Sequence, residues 1–153
     1  MTMSKAPNLQ TGHVGLNVTD LDRSLPFYRE VFDFEVMAEG KDEGRRWAFL
    51  GRGSRLLVTL WQQSGTAFAA DRAGLHHLSF QVDTIEEVRA TEEVLRGLGA
   101  EFNYAGVVPH GESATSGGIF FTDPDGIRLE VYAPTGADPA DAPTTGTPTC
   151  GFF

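Results

Sequence analysis

Three residues of this chain have side chains and spacing suited to holding a divalent metal ion: His13, His77 and Glu130. His13 lies in GHVGLNVTDLDRSLPFY and His77 in HHLSFQVDTIEEVRATE, two segments that align with an offset of 77 − 13 = 64 residues. In that alignment Asn17 matches Gln81 and Val18 matches Val82. Alternate residues of a strand share a face, so His13, Gly15 and Asn17 lie on one side, with Val14, Leu16 and Val18 on the other. The second segment divides the same way, with His77, Ser79 and Gln81 opposite Leu78, Phe80 and Val82. Glu130 sits in GIRLEVY, where Ile127, Leu129 and Val131 alternate with Arg128, Glu130 and Tyr132. Alone, that pattern describes a half-buried strand whose carboxylate faces water. The repeat gives the carboxylate a different neighbourhood.

The elements that must position these residues also repeat. Each histidine-bearing strand leads into a helix. Thr84 and Glu87 form a capping box at the start of the second, and Thr19–Asp22 is a looser version at the start of the first. Leu21, Leu25, Tyr28 and Phe32 form the apolar stripe of the first helix, where Pro26 is expected to cost some regularity. Ile85, Val88, Leu95 and Leu98 form that of the second, which Gly99 can end. Three strands follow each helix: Phe34–Ala38, Arg46–Leu50 and Arg55–Trp61 in the first half; Glu101–Ala105, Gly118–Thr122 and Ile127–Tyr132 in the second. The last two strands of each half are joined by turn sequences, Gly51–Ser54 and Asp123–Gly126. Each half therefore reads βαβββ, and aligning the last strands puts Thr59 at the position of Glu130. If the halves pack about a pseudo-two-fold axis, the positions of His13, His77, Thr59 and Glu130 surround one point inside a curved sheet. Two imidazoles and one carboxylate form a facial triad suited to Fe(II) and similar divalent ions. Such an ion would also satisfy Glu130, whose unpaired burial would be costly.

Composition bounds the rest. The chain has 153 residues, 41% hydrophobic and 22% charged, with a net charge of −9 and eleven Phe. So acidic a chain argues against nucleic acid or an anionic membrane surface as partner. No apolar run is long enough to span a bilayer, and MTMSKAPNLQ has no signal-peptide core. A single cysteine, Cys150, makes a reducing cytoplasm the expected compartment. Its place in CGFF resembles a prenylation box, but Gly151 is not aliphatic and the preceding segment is acidic. The expected organisation is an N-terminal arm over 1–8, modules over 9–70 and 71–134, and a flexible tail over 135–153. That tail is rich in Pro, Thr, Ala and Gly; Phe152 and Phe153 are out of character in it.

Over roughly residues 9–134 the chain resembles the vicinal oxygen chelate superfamily: glyoxalases, bleomycin-resistance proteins, fosfomycin-resistance transferases, methylmalonyl-CoA epimerases and extradiol dioxygenases. The motifs that carry the resemblance are the His-bearing strands, the LDRSLPFYREVFDFE helix and the FFTDPDGIRLEVY hairpin. The resemblance implies an α+β fold of two paired βαβββ modules forming a curved mixed sheet. It implies one divalent metal per chain at His13, His77 and Glu130, with Fe(II) favoured over Mn, Ni or Zn. Thr59 replaces the carboxylate or amide that glyoxalase-like members carry, which points to the fosfomycin-transferase branch, poorly matched because Arg128 alone is basic near the last strand, and better to the dioxygenase branch. Two departures from that branch stand out: Phe120 occupies the place of a Tyr, and His110 lies one residue further upstream than expected. His110, in the loop Val107–Gly117, is either the catalytic proton carrier beside the metal or a solvated loop residue. His76 is expected to face away from His77. Trp47, Phe49, Leu57, Thr59, Trp61, Phe120 and Tyr132 are candidate lining for a pocket suited to a small aromatic or enolisable substrate, or a drug. The expected activity is extradiol-dioxygenase-like; the rivals are a glyoxalase-type lyase or isomerase and a non-catalytic drug-binding protein. A homodimer is the expected assembly.

Overall fold

A computed structural model describes residues 9–151 and 153; the N-terminal arm and Phe152 lie outside the described residues. The first half is β1 (Val14–Val18), α1 (Leu21–Phe32), β2 (Glu35–Asp42), β3 (Arg45–Arg52) and β4 (Arg55–Gln62). The second is β5 (Leu78–Gln81), α2 (Ile85–Gly97), β6 (Val108–Pro109), β7 (Gly117–Thr122) and β8 (Arg128–Ala133). The fold is α+β, and each half makes its own four-stranded mixed sheet, in the orders β1-β4-β3-β2 and β5-β8-β7-β6. In each sheet the first strand runs parallel to the last, and the remaining pairs are antiparallel.

Local chemistry accounts for the helix ends. The Asp20 side chain accepts a hydrogen bond from the Asp22 N–H and caps α1, which ends at Asp33 in the left-handed region (φ 54°). Thr84 and Glu87 form the expected capping box on α2. Pro26 is accommodated inside α1. One expected strand is replaced. Glu101–Ala105 makes only an isolated bridge between Phe102 and Phe121. The chain turns at Gly106 (φ 68°), and β6 takes the edge position instead. Pro109 closes that edge, since it has no N–H to offer a further strand.

A single core joins both halves. It contains Leu16, Val18, Leu50, Val58 and Leu60 of the first sheet and Ile119, Phe121, Leu129 and Val131 of the second, with Leu21, Tyr28, Val88 and Leu95 of the helices. Helix α1 serves both sheets: it packs on β3 and β4, Phe27 lies 6.4 Å from Phe121, and Phe32 lies 4.6 Å from Phe80. Because the apolar faces of both sheets point into this core, their polar faces turn away from it.

The joint between the halves is polar at one end. The fully buried Tyr28 hydroxyl donates to Asp123 Oδ2 at 2.8 Å. Asp123 Oδ1 accepts from the Asp125 and Ile127 N–H groups. Asp125 in turn accepts from the Thr19 N–H and hydroxyl and from Arg23. The turn that leads into β8 is thus fastened to the start of α1.

The segment expected to be a loose tail lies on the second sheet. The Ala137 N–H donates to Thr115 O, the Thr149 N–H to His110 O at 3.0 Å, and the Thr149 hydroxyl to Pro109 O at 2.7 Å. Thr149 is fully buried.

Burial holds the Asp123 carboxyl above its usual range, and the Tyr28 hydroxyl opposes that rise. Tyr28→Phe removes the donor and is expected to cost about 1–3 kcal/mol at neutral pH. It also raises the folded-state pKa of Asp123 further. The folded variant then binds a proton that the unfolded chain does not, so the loss should shrink as pH falls through that pKa. Urea unfolding of both proteins from neutral to mildly acidic pH measures this; a loss that grows on acidification would refute the assignment.

Candidate functional site

The outward face of the second sheet is built by register. Ser79 and Phe120 are the direct cross-strand partners of Glu130, from β5 and β7, and Gly118 and Gln81 are those of Tyr132. Glu130 is only 2% exposed. Its Oε2 lies 2.5 Å from His110 Nε2, and its Oε1 lies 3.7 Å from His77 Nε2. His110 Nδ1 lies 2.9 Å from Ser116 Oγ, and the His110 N–H donates to Ser116 O. If the hydroxyl donates to Nδ1, Nε2 carries the proton and donates it to the carboxylate. The site is therefore a line of three groups, Ser116, His110 and Glu130, with His77 on the far side of the carboxylate.

Burial lowers the His77 pKa, and the attraction of Glu130 only partly counters it, so at neutral pH this ring is uncharged. An uncharged imidazole is the form that ligates a metal. His76, expected to face away, lies with its Nδ1 2.8 Å from Nδ1 of His77. Phe120 forms the floor, with the His110 ring 6.3 Å away and the Tyr104 ring 5.4 Å away. Tyr132 packs 4.9 Å from His110 and donates its hydroxyl to Gln81.

The outward face of the first sheet holds a different group. Trp47, Phe49 and Trp61 form an aromatic cluster, with centroids 4.9 to 6.4 Å apart. Thr59 lies buried beside it and accepts from Trp61 Nε1 at 2.9 Å. Gly40 lies beneath Trp47; a Cβ there would be 2.6 Å from the indole, so the ring lies flat only over glycine. His13 stands exposed just before β1. Leu57 is not part of this face. The register shift between Leu50 and Gly51 displaces it, and it packs against the core beside a cavity of about 350 Å³ shared with Phe32 and Phe80. Among the described residues no three His, Cys, Asp or Glu side chains are grouped to hold a metal ion within one chain. Of the expected set, His77 and Glu130 are together and His13 stands apart.

The sequence matches the family model described as the Glyoxalase/Bleomycin resistance protein/Dioxygenase superfamily over residues 10–131. The chain belongs to this superfamily. It is 27% identical over 124 residues to the catechol-2,3-dioxygenase of Bacillus subtilis, covering 80% of this chain and 40% of that protein. It is 31% identical over 133 residues to the lactoylglutathione lyase of Neisseria meningitidis serogroup A, covering 82% of this chain and 91% of that one. The chain thus spans less than half of the first relative and nearly all of the second. Among solved structures, a glyoxylase/bleomycin resistance protein/dioxygenase domain from Frankia superposes with a TM-score of 0.69 at 29% identity, covering 82% of this chain and 98% of that one.

The candidate polar groups that meet one another, Ser116, His110, Glu130 and His77, lie on the second module. Ser116 and Tyr104 were not apparent from sequence. Ser116 lies six residues beyond His110, and only the hairpin between β6 and β7 brings it back to the ring. Tyr104 was hidden because alternation with Phe102, which packs on the core side beside Phe121, would have turned it inward, whereas it lies against Phe120. Ser116→Ala should free His110 Nδ1. Imidazole nitrogen shifts by NMR should then show the Nε2–H tautomer in both proteins, held by the Glu130 carboxylate, with the Nδ1 signal displaced in the variant by loss of the hydroxyl hydrogen bond. Identical shifts would show that Ser116 does not orient the ring.

Proposed function

We propose that this chain is a metal-dependent enzyme of the vicinal oxygen chelate type, nearest in chemistry to the extradiol dioxygenases, acting on a small aromatic or enolisable substrate. One observation carries the reading: a carboxylate only 2% exposed, flanked by two imidazoles on an aromatic floor. The donors fit a divalent ion in kind, since two imidazoles and one carboxylate suit Fe(II), with Mn, Ni or Zn as alternatives. His77 and Glu130 would hold the ion on the second sheet. His13 would come from a second copy of the chain, whose first sheet carries it beside the face of Trp47, Phe49 and Trp61. That face would cover the second sheet's pocket and supply its other wall, making the working unit a homodimer.

When bound, the ion supplies Lewis acidity toward two neighbouring oxygens of the substrate. The protein's own residues do the rest. His110 holds a proton at Nε2 and passes it to or from a substrate oxygen near Glu130, with Ser116 fixing the ring. Phe120 offers an apolar face and no hydrogen bond. Thr59 has no basic group, which disfavours chemistry needing a carboxylate base at that position. A glyoxalase-type lyase is the second reading. It is favoured by the length match to the Neisseria protein, 91% of which is covered; His110 would then be its base. Oxygen uptake with catechols, set against isomerisation of a glutathione hemithioacetal, separates the two.

The shared site has a direct test. His13→Ala and Glu130→Ala should each lose bound metal. Unfolded together in equal amounts and refolded, they should form mixed dimers with one intact site, recovering about a quarter of the wild-type metal for random pairing. Elemental analysis that finds no recovery would place the site within one chain or refute it.

A further inference from the structure

The pocket on the second sheet has an occupant from the same chain. The Phe153 ring stands edge-on to Phe120, with centroids 4.8 Å apart and planes at 67°. It lies 5.4 Å from the His77 ring and 6.4 Å from Tyr104. The Arg128 guanidinium sits 5.7 Å from its centroid. An aromatic floor, an imidazole edge and a cation over the ring together recognise an aromatic ring in general, and an electron-rich one best.

The approach to this seat is anchored. Thr149 is 0% exposed and bonds through both its N–H and its hydroxyl to the strand that carries His110. Its carbonyl accepts from the Tyr104 hydroxyl at 3.1 Å. Cys150, next along, is half-buried; burial raises its thiol pKa, and Glu130 is close enough to add to the rise. The segment therefore crosses the candidate site from the His110 side to the His77 side.

We infer that the seat of Phe153 is the ring-binding subsite of this pocket, and that Thr149–Phe153 is its resident plug, which an aromatic ligand displaces. This rests on the same pocket as the proposed function but not on a metal. Plug and ligand compete for Phe120, His77 and Arg128, so apparent affinity is the intrinsic affinity reduced by the fraction of chains that are open. Thr149 is the fixed end, and Phe153 is the part that must move.

Metal-free protein serves for the test, so its outcome is separate from that of the metal site. Cys150 is the single cysteine, and a thiol reagent therefore reports on this segment alone. Phe153→Ala should raise its labelling rate by about tenfold, the scale of one aromatic contact. The same change, and deletion of residues 149–153, should speed carbethoxylation of His77 and His110, read by peptide mass spectrometry. Adding 4-nitrocatechol should protect both histidines, at about tenfold lower concentration in Phe153→Ala than in wild type. Equal Cys150 labelling in wild type and variant overturns the docking. Faster labelling with unchanged histidine reactivity overturns the plug. Equal concentrations for protection, or no protection in either protein, overturns the shared subsite.

Discussion

A four-stranded sheet with one helix can bury only one of its faces. Each module here has that composition, and everything about the site follows from how the second face is treated. The two helices and the two apolar faces are spent on one common core. What remains outward is an aromatic cluster on the first sheet and a carboxylate–imidazole group on the second. Neither is a normal solvent-facing surface. Trp47, Phe49 and Trp61 are half-buried against one another, and Glu130 is nearly inaccessible although it stands outside the apolar core.

The burial of Glu130 is local. Phe120 and Ser79 flank it across the ladder, and His110 closes over it at 2.5 Å. A carboxylate so placed is costly unless donors or a cation compensate. His110 supplies one such contact, held by Ser116. His77 lies on the other side with its proton affinity lowered by burial. A neutral imidazole at 3.7 Å gives the carboxylate little stabilisation by itself. The carboxylate is thus asymmetric, with Oε2 against His110 and Oε1 facing an uncharged ring.

Much of this was legible in the sequence. The 64-residue offset, the capping box at Thr84 and the alternation in GIRLEVY specify two βαβββ units through local periodicity and end chemistry, and both units form. The lining residues of β3, β4, β7 and β8 lie on outward faces wherever the ladder is regular. Leu57 departs because a register shift is invisible to a period-two count. Glu101–Ala105 departs because its alternation is right but only Phe102 finds a bridge partner. The docking of Thr149 and Phe153 was hidden by composition: a Pro- and Thr-rich segment has no core pattern, yet Thr149 alone makes three hydrogen bonds to the second half and Phe153 adds its ring. Above all, the pairing of His110 with Glu130 and the separation of His13 are tertiary facts. A repeat shows that two positions are equivalent; it does not say whether equivalent positions meet in one chain.

One turn ties the strand of Glu130 to the first half. The turn Asp123–Pro124–Asp125–Gly126 leads directly into β8, the strand of Glu130. Its two carboxylates are bonded to Tyr28, Thr19 and Arg23 of the first half. Gly126, at φ 82°, allows the reversal that aims both side chains at α1. This fastening places the inward face of β8 against α1 and the outward face, with Glu130, away from it. The same residues fix the first sheet on the other side of α1, because Thr19 and Arg23 bracket the end of β1 and the start of the helix. The turn that sets the carboxylate in place is therefore tied to the end of β1, the strand that His13 precedes, and to the middle of α1 through Tyr28.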